Sequence, residues 1–138
     1  MSPAQLDQLF AQATPGALPT GAVPGRLLIW PGQTMAGPAT QVGRVVWQGK
    51  KFRPEDSTVI NRFFGVPMFR AQVKYEASWV DGSPCHVLDY SQTSTVFRNV
   101  RDEFREVAPG LYLGKAYRVE PTPTLWRYFA FEDHRATR

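Results

Sequence analysis

Apolar and polar positions alternate most cleanly along Ala71-Gln72-Val73-Lys74-Tyr75-Glu76-Ala77-Ser78-Trp79. Apolar residues at 71, 73, 75, 77 and 79 against polar ones at 72, 74, 76 and 78 give the period of two expected of a strand with one dry face. Asp81-Gly82 follows as a hairpin signal, because glycine accepts the positive φ of a tight reversal. Cys85-His86-Val87-Leu88-Asp89-Tyr90 then supplies the return strand. Facing residues of an antiparallel pair share one side of the sheet. A two-residue loop pairs Ala77 with His86 and Lys74 with Asp89; a four-residue loop through Pro84 pairs Trp79 with His86 and Glu76 with Asp89. The register stays open between these two. Either one sends His86, Leu88 and Tyr90 to the side of Tyr75, Ala77 and Trp79.

The same reading extends along the chain. Ser2-Pro3-Ala4-Gln5 combines a capping serine, a first-turn proline and a glutamine three residues past the cap, so a short helix is expected within residues 1–14, broken by Pro15-Gly16. Residues 15–25 carry repeated Pro and Gly and predict an irregular connection. Arg26-Leu27-Leu28-Ile29-Trp30 reads as a strand stopped by Pro31-Gly32, and the unpatterned residues 31–43 as a mobile loop. Strands are expected over 44–52, with Gly49 as a bend or close-approach point, and over 58–64, although Pro54-Glu55-Asp56-Ser57 also suits a helix start. Gly65-Val66-Pro67 reads as the end of that segment, and residues 91–97 as strand or turn-and-strand. Residues 97–107 fit either a short helix or a charged strand, the strand being favoured because it pairs naturally in a meander. Aromatic strands over 111–119 and 125–131 complete the pattern. The fold expected is all-β with minor α: one domain over residues 1–138, an antiparallel up-and-down barrel of eight to nine strands with a short N-terminal helix.

Composition narrows the function classes. The 138 residues carry a net charge of +4, but the basic residues are spread along the chain, and no nucleic-acid motif or basic stripe is present. Cys85 is the single cysteine, which excludes an intrachain disulfide and a cysteine-rich metal site. With His86 and His134 as the only histidines, a histidine-rich zinc site has no support. No metal or other cofactor is therefore expected. The absence of a charged start followed by an apolar run, and of any spanning apolar stretch, predicts a cytoplasmic protein without a membrane partner.

Five segments carry a family resemblance: Trp47-Gln48-Gly49-Lys50-Lys51-Phe52, Asn61-Arg62-Phe63, Asp81-Gly82-Ser83-Pro84, Leu88-Asp89-Tyr90-Ser91, and Val100 through Gly114. Over residues 19–118 the chain resembles small uncharacterised bacterial proteins with GXWXG-type and associated domains of unknown function. Val46-Trp47-Gln48-Gly49 lacks the first glycine of the name-giving spacing. The resemblance implies a β-rich half and brings no activity. In outline the barrel is also similar to lipocalin-like (calycin-like) and fatty-acid-binding-protein-like barrels, and fold analogy does not transfer function.

A barrel of about eight strands can hold side chains or one small ligand. The expected ligand-binding residues are Tyr75, Trp79, His86, Tyr90, Arg101, Glu103 and Tyr117. Aromatics supply apolar wall, and arginine grips an anionic head group bidentately. The expected function is binding of a small, largely apolar ligand with a polar or anionic end in the barrel cavity, with a homodimer through an exposed sheet surface. A second reading is an isomerase, cyclase or lyase acting on a small carbonyl compound, with His86 or Asp89 as base and Tyr90 or Arg101 polarising the carbonyl oxygen. A third is a non-catalytic protein-interaction module. Each residue also has a bland role: His86 as a hydrogen-bonded core histidine, the 101–106 charges as a rim network, and the aromatics as core filler.

Overall fold

The computed structural model of the protein describes residues 2–28, 47–63 and 65–133. Helix α1 (Pro3–Gln12) starts on the expected capping box: the Ser2 side chain accepts from the Gln5 backbone N–H while the Gln5 side chain accepts from that of Ser2. These contacts satisfy two of the donors that a helix N-terminus leaves unpaired. Its buried residues are Leu6 and Phe10.

Eight strands follow: β1 (Gly21–Leu27), β2 (Trp47–Arg53), β3 (Thr58–Phe63), β4 (Val66–Ala77), β5 (Pro84–Asp89), β6 (Val100–Ala108), β7 (Leu111–Arg118) and β8 (Thr124–Glu132). Each pairs antiparallel with the next, and β1 pairs with β8, closing the barrel. Closure leaves no sheet edge among these strands to recruit another chain. No helix among the described residues is long and apolar enough to cross a membrane.

Several local expectations need correction. Residues 21–25 are strand, despite Pro24. That proline lies opposite Gly49, whose φ of +124° marks an irregular point of the ladder. Proline is tolerated where regular ladder bonding is interrupted. A Cβ on Gly49 would strike the Val23 carbonyl, so the predicted close approach occurs there. Val66-Pro67 opens β4 rather than ending a strand, and residues 91–97 form turns and bends. Residues 54–57 turn into β3 without a helix, whereas 100–108 is strand, as favoured. The mobile-loop expectation for 31–43, and residues 29–30 and 44–46 of the expected strands, lie outside the described residues.

The β4–β5 register pairs Tyr75 with His86 and Ala77 with Pro84. Neither sequence-derived register is observed, because the loop between the strands holds six residues, 78–83. The loop is still even, so His86 and Leu88 share the face of Tyr75 and Val73.

The interior is mostly aromatic. Phe52, Phe104, Tyr112, Phe129 and Phe131 meet with ring centroids 5.0–6.1 Å apart. Gly114 sits where any side chain would collide with the Phe129 ring. On the outer side, α1 lays Leu6 and Phe10 against Leu113 of β7 and Tyr128 of β8. Strands β6 and β7 are consequently buried on both faces.

Phe104 is fully buried and touches Phe52, His86, Tyr112 and Phe131. Phe104→Ala is expected to destabilise the barrel by about 3–5 kcal/mol in urea unfolding, as large-to-small changes in filled cores do.

Candidate functional site

Period two already places a few polar residues inside the barrel. Lys50 shares a strand face with Phe52, Asn61 with Val59, and Asp102 with Phe104; all three polar residues are buried. The Lys50 ammonium donates to Asn61 Oδ1 at 2.7 Å, to the Tyr90 hydroxyl at 3.2 Å and to Asp102 Oδ2 at 3.2 Å. Tyr90 donates to Asp102 Oδ2 at 3.0 Å and accepts from Asn61 Nδ2 at 2.8 Å. Trp47 Nε1 donates to Asn61 Oδ1 at 3.0 Å, and Asn61 Nδ2 also donates to the Phe69 carbonyl at 3.0 Å. Lys50 Nζ further lies 5.4 Å from the Trp47 ring centroid and 5.1 Å from that of Phe129.

Burial is the dominant influence on these groups. It holds the Lys50 amine below the usual lysine range, with Asp102 opposing that shift, and pushes the Tyr90 phenol well above its ordinary value. Burial also lowers Arg127, again partly offset by Asp102.

A cavity of about 80 Å³ opens beside this cluster, with Lys50, Asn61, Tyr90, Asp102 and Arg127 as its polar wall. Its origin lies in the register. Asp102 of β6 faces Ala116 of β7, which faces Arg127 of β8. The small Ala116 between these two polar side chains leaves the room. Phe63, Phe97, Val100 and Trp126 supply apolar wall. Phe97 stacks on Phe69 at 4.3 Å, and Phe69 takes a φ of 62°. A left-handed conformation for a bulky residue costs on the order of 1–3 kcal/mol, which its surroundings must over-determine. The Asn61 bond to the Phe69 carbonyl ties that backbone to the polar cluster.

The sequence-derived site residues divide into two groups. Tyr90 lies in the interior cluster. His86 is also interior, but four residues along the chain, roughly 13 Å at the usual strand rise. There its Nε2 bonds the Gly16 carbonyl at 2.9 Å, its ring packs on Phe104, and burial lowers its pKa. Tyr75 pairs with His86 but is 62% exposed. The other five residues are outside the barrel. Arg101 bonds Glu76, the Ala77 carbonyl and Glu103, and stacks 4.3 Å from the Trp79 ring centroid. Glu103, fully buried, accepts from Ser78 Oγ at 2.7 Å and the Trp79 backbone N–H at 2.8 Å. Tyr117 meets Trp79 at 5.6 Å. Asp89 pairs with Lys74 at 2.7 Å; burial alone would raise its pKa, but bonds from Lys74 and Ser91 hold it at about 2.

The expected convergence of His86, Tyr90 and Arg101 on one cavity is therefore corrected. Trp79, Asp89 and Arg101 instead line an outer groove of about 680 Å³. The cause is the parity of β6: its odd residues point outward, where loop 78–83 folds over them. Lys50, Asn61 and Arg127 were missed, and Asp102 was counted only among the charges of the 101–106 stretch. The available signal was a polar residue at a position that alternation assigns to the dry face. Among the described residues no group of three or more His, Cys, Asp or Glu side chains is placed to hold a metal ion.

Loop 78–83 is clamped by Arg105, whose guanidinium grips both oxygens of Asp81 at 2.8 Å. That contact holds the Asp81 carboxyl at about 2 against an ordinary 3.8. A depressed carboxyl pKa stabilises the fold above its unfolded value, and the contribution fades as pH falls through the folded one. The stability gap between wild type and Asp81→Asn, measured by urea unfolding, is expected to be full above about pH 4 and to close toward about pH 2. For the inner pair, Lys50→Met and Asp102→Leu alone should each cost about 3–5 kcal/mol, and the double variant less than either, because single changes leave a buried charge uncompensated.

No family model matches the chain, and no curated protein matches it. Among solved structures, one described only as a protein from Thermomonospora curvata superposes with a TM-score of 0.61 at 15% identity, covering 97% of this chain and 89% of its own. At that identity the likeness carries the barrel fold and nothing finer. The chain shares its architecture with a bacterial protein whose description assigns it no activity.

Proposed function

We propose that the barrel binds a small molecule whose anionic or carbonyl end enters the interior cavity beside Arg127 and Lys50. Its apolar remainder lies against Phe63, Phe97, Val100 and Trp126. The observation that carries this reading is the charge of the wall: Lys50 and Arg127 are cations, and Asp102 is the single carboxylate among the lining residues. A cation excess in a poorly solvated space favours an anion more strongly than the same charges would in water. Arginine also suits a planar carboxylate. A volume of about 80 Å³ admits a few waters or a head group of similar size. It is well below the ~300–1,000 Å³ that encloses a drug-sized ligand, so the molecule that fits is small.

A second reading, an enzyme acting on a small carbonyl compound, is supported by a different observation. Lys50, Tyr90 and Asp102 are already within hydrogen-bond reach of one another, the condition for moving protons.

Trp47 and Trp126 line the cavity, so tryptophan fluorescence reports on it. Titration with short carboxylates and 2-oxo acids is expected to give a saturable change, and uncharged amides of the same shape none. Arg127→Gln should weaken binding about tenfold or more, the loss expected of one charge-assisted hydrogen bond. Ala116→Val should block binding while the barrel stays folded by circular dichroism. Equal responses to acids and amides, or no saturable response to any anion, would reject the reading.

A further inference from the structure

We infer that Lys50 forms an imine with the oxo carbon of a short 2-oxo acid, the acid's carboxylate being held by Arg127. This rests on the reading of the cavity as an anion site and names the class of compound it takes. Three features of the wall converge on it. The Lys50 amine borders the cavity and has two groups able to relay protons within reach: Asp102 Oδ2 at 3.2 Å and the Tyr90 hydroxyl at 3.2 Å. Arg127 stands two strands along the barrel wall from Asp102, with Ala116 of β7 between them, and both line the cavity, so a second cation borders the space in which the oxo carbon would sit. The cavity of about 80 Å³ accommodates a molecule of a few carbons and excludes a long chain. Burial also makes the free amine more accessible at neutral pH than on an exposed lysine.

The protons balance within the cluster. The Lys50 ammonium passes one proton to the Asp102 carboxylate, and the amine lone pair attacks the oxo carbon. The C=O π pair moves to oxygen, which takes the proton from Asp102. The nitrogen then returns a proton to Asp102, giving a neutral carbinolamine. Asp102 protonates the hydroxyl, the C–O bond breaks, water leaves, and the nitrogen lone pair closes the C=N bond. One ammonium and one ketone become one iminium and one water, Asp102 ends as the carboxylate, and nothing is oxidised or reduced. The iminium keeps the positive charge beside Asp102, so the buried pair survives the reaction. Tyr90 donates to Asp102 at 3.0 Å and positions that carboxylate throughout.

The probe is pyruvate with sodium cyanoborohydride on the intact chain, followed by peptide mass mapping, with pyruvate binding followed in parallel by tryptophan fluorescence without reductant. A reduced pyruvate adduct confined to Lys50 is expected, lost in Lys50→Arg and reduced at least tenfold in Arg127→Gln. Asp102→Asn should slow trapping at Lys50 at least tenfold more than it weakens pyruvate binding. A merely structural Asp102 would change both together. Saturable binding without an adduct at Lys50, or adducts only on exposed lysines such as Lys51, would overturn the imine and leave the anion site standing. The absence of both binding and adduct would overturn both.

Discussion

A primary amine enclosed by aromatic rings is the constraint on which this barrel depends. Taking an ammonium out of water costs several kcal/mol even after relaxation, and the cost is offset only when each proton finds an acceptor. Lys50 finds three, from Asn61 on β3, Tyr90 just beyond β5 and Asp102 on β6. Those partners are distant in sequence and lie on different parts of the sheet. One hydrogen-bond set therefore couples the registers of four segments. A slip of one residue in any of those strands would turn its polar group outward and strand the amine.

A second polar layer lies on the other side of the same wall. β6 alternates Asp102 and Phe104 inward with Arg101, Glu103 and Arg105 outward, and nearly all of them are buried. The outward set is covered by α1 and loop 78–83, and its charges are consumed in holding those covers: Glu103 on Ser78 and Trp79, Arg105 on Asp81 and the Phe10 carbonyl. The division explains why one charged strand serves two purposes. Its outer charges fasten structure, while its inner carboxylate borders the open space.

The two ends of the barrel also differ. Around His86 the chain following α1 is tied down, with Gly16 on the imidazole and the Ala17 carbonyl accepting from Tyr112. Phe104, Tyr112 and Phe131 fill that end. Toward Tyr90 the filling thins where Ala116 replaces a larger side chain, and the cavity appears. The proposed head-group site thus sits where core packing gives way to polar contacts.

The sequence by itself determined the class of fold and most of its elements. A period of two in hydrophobicity, turn residues between short aromatic runs and a capping box are local signals, and they led to a short N-terminal helix, a strand favoured over a helix at 97–107 and an antiparallel barrel of eight to nine strands, of which the structure forms eight. It also put His86 and Tyr90 on one face, since any even loop does so. Only the tertiary structure decided which charged residues meet. Loop 78–83 is longer than its Asp-Gly signal suggests, and its fold over β6 turned Trp79, Arg101 and Glu103 into an outer clamp. Lys50, Asn61, Asp102 and Arg127 became neighbours through barrel closure and register, which depend on pairings between strands far apart in the chain. Alternation tells which side of a strand a residue occupies; the partners it meets there are set by the whole closed sheet.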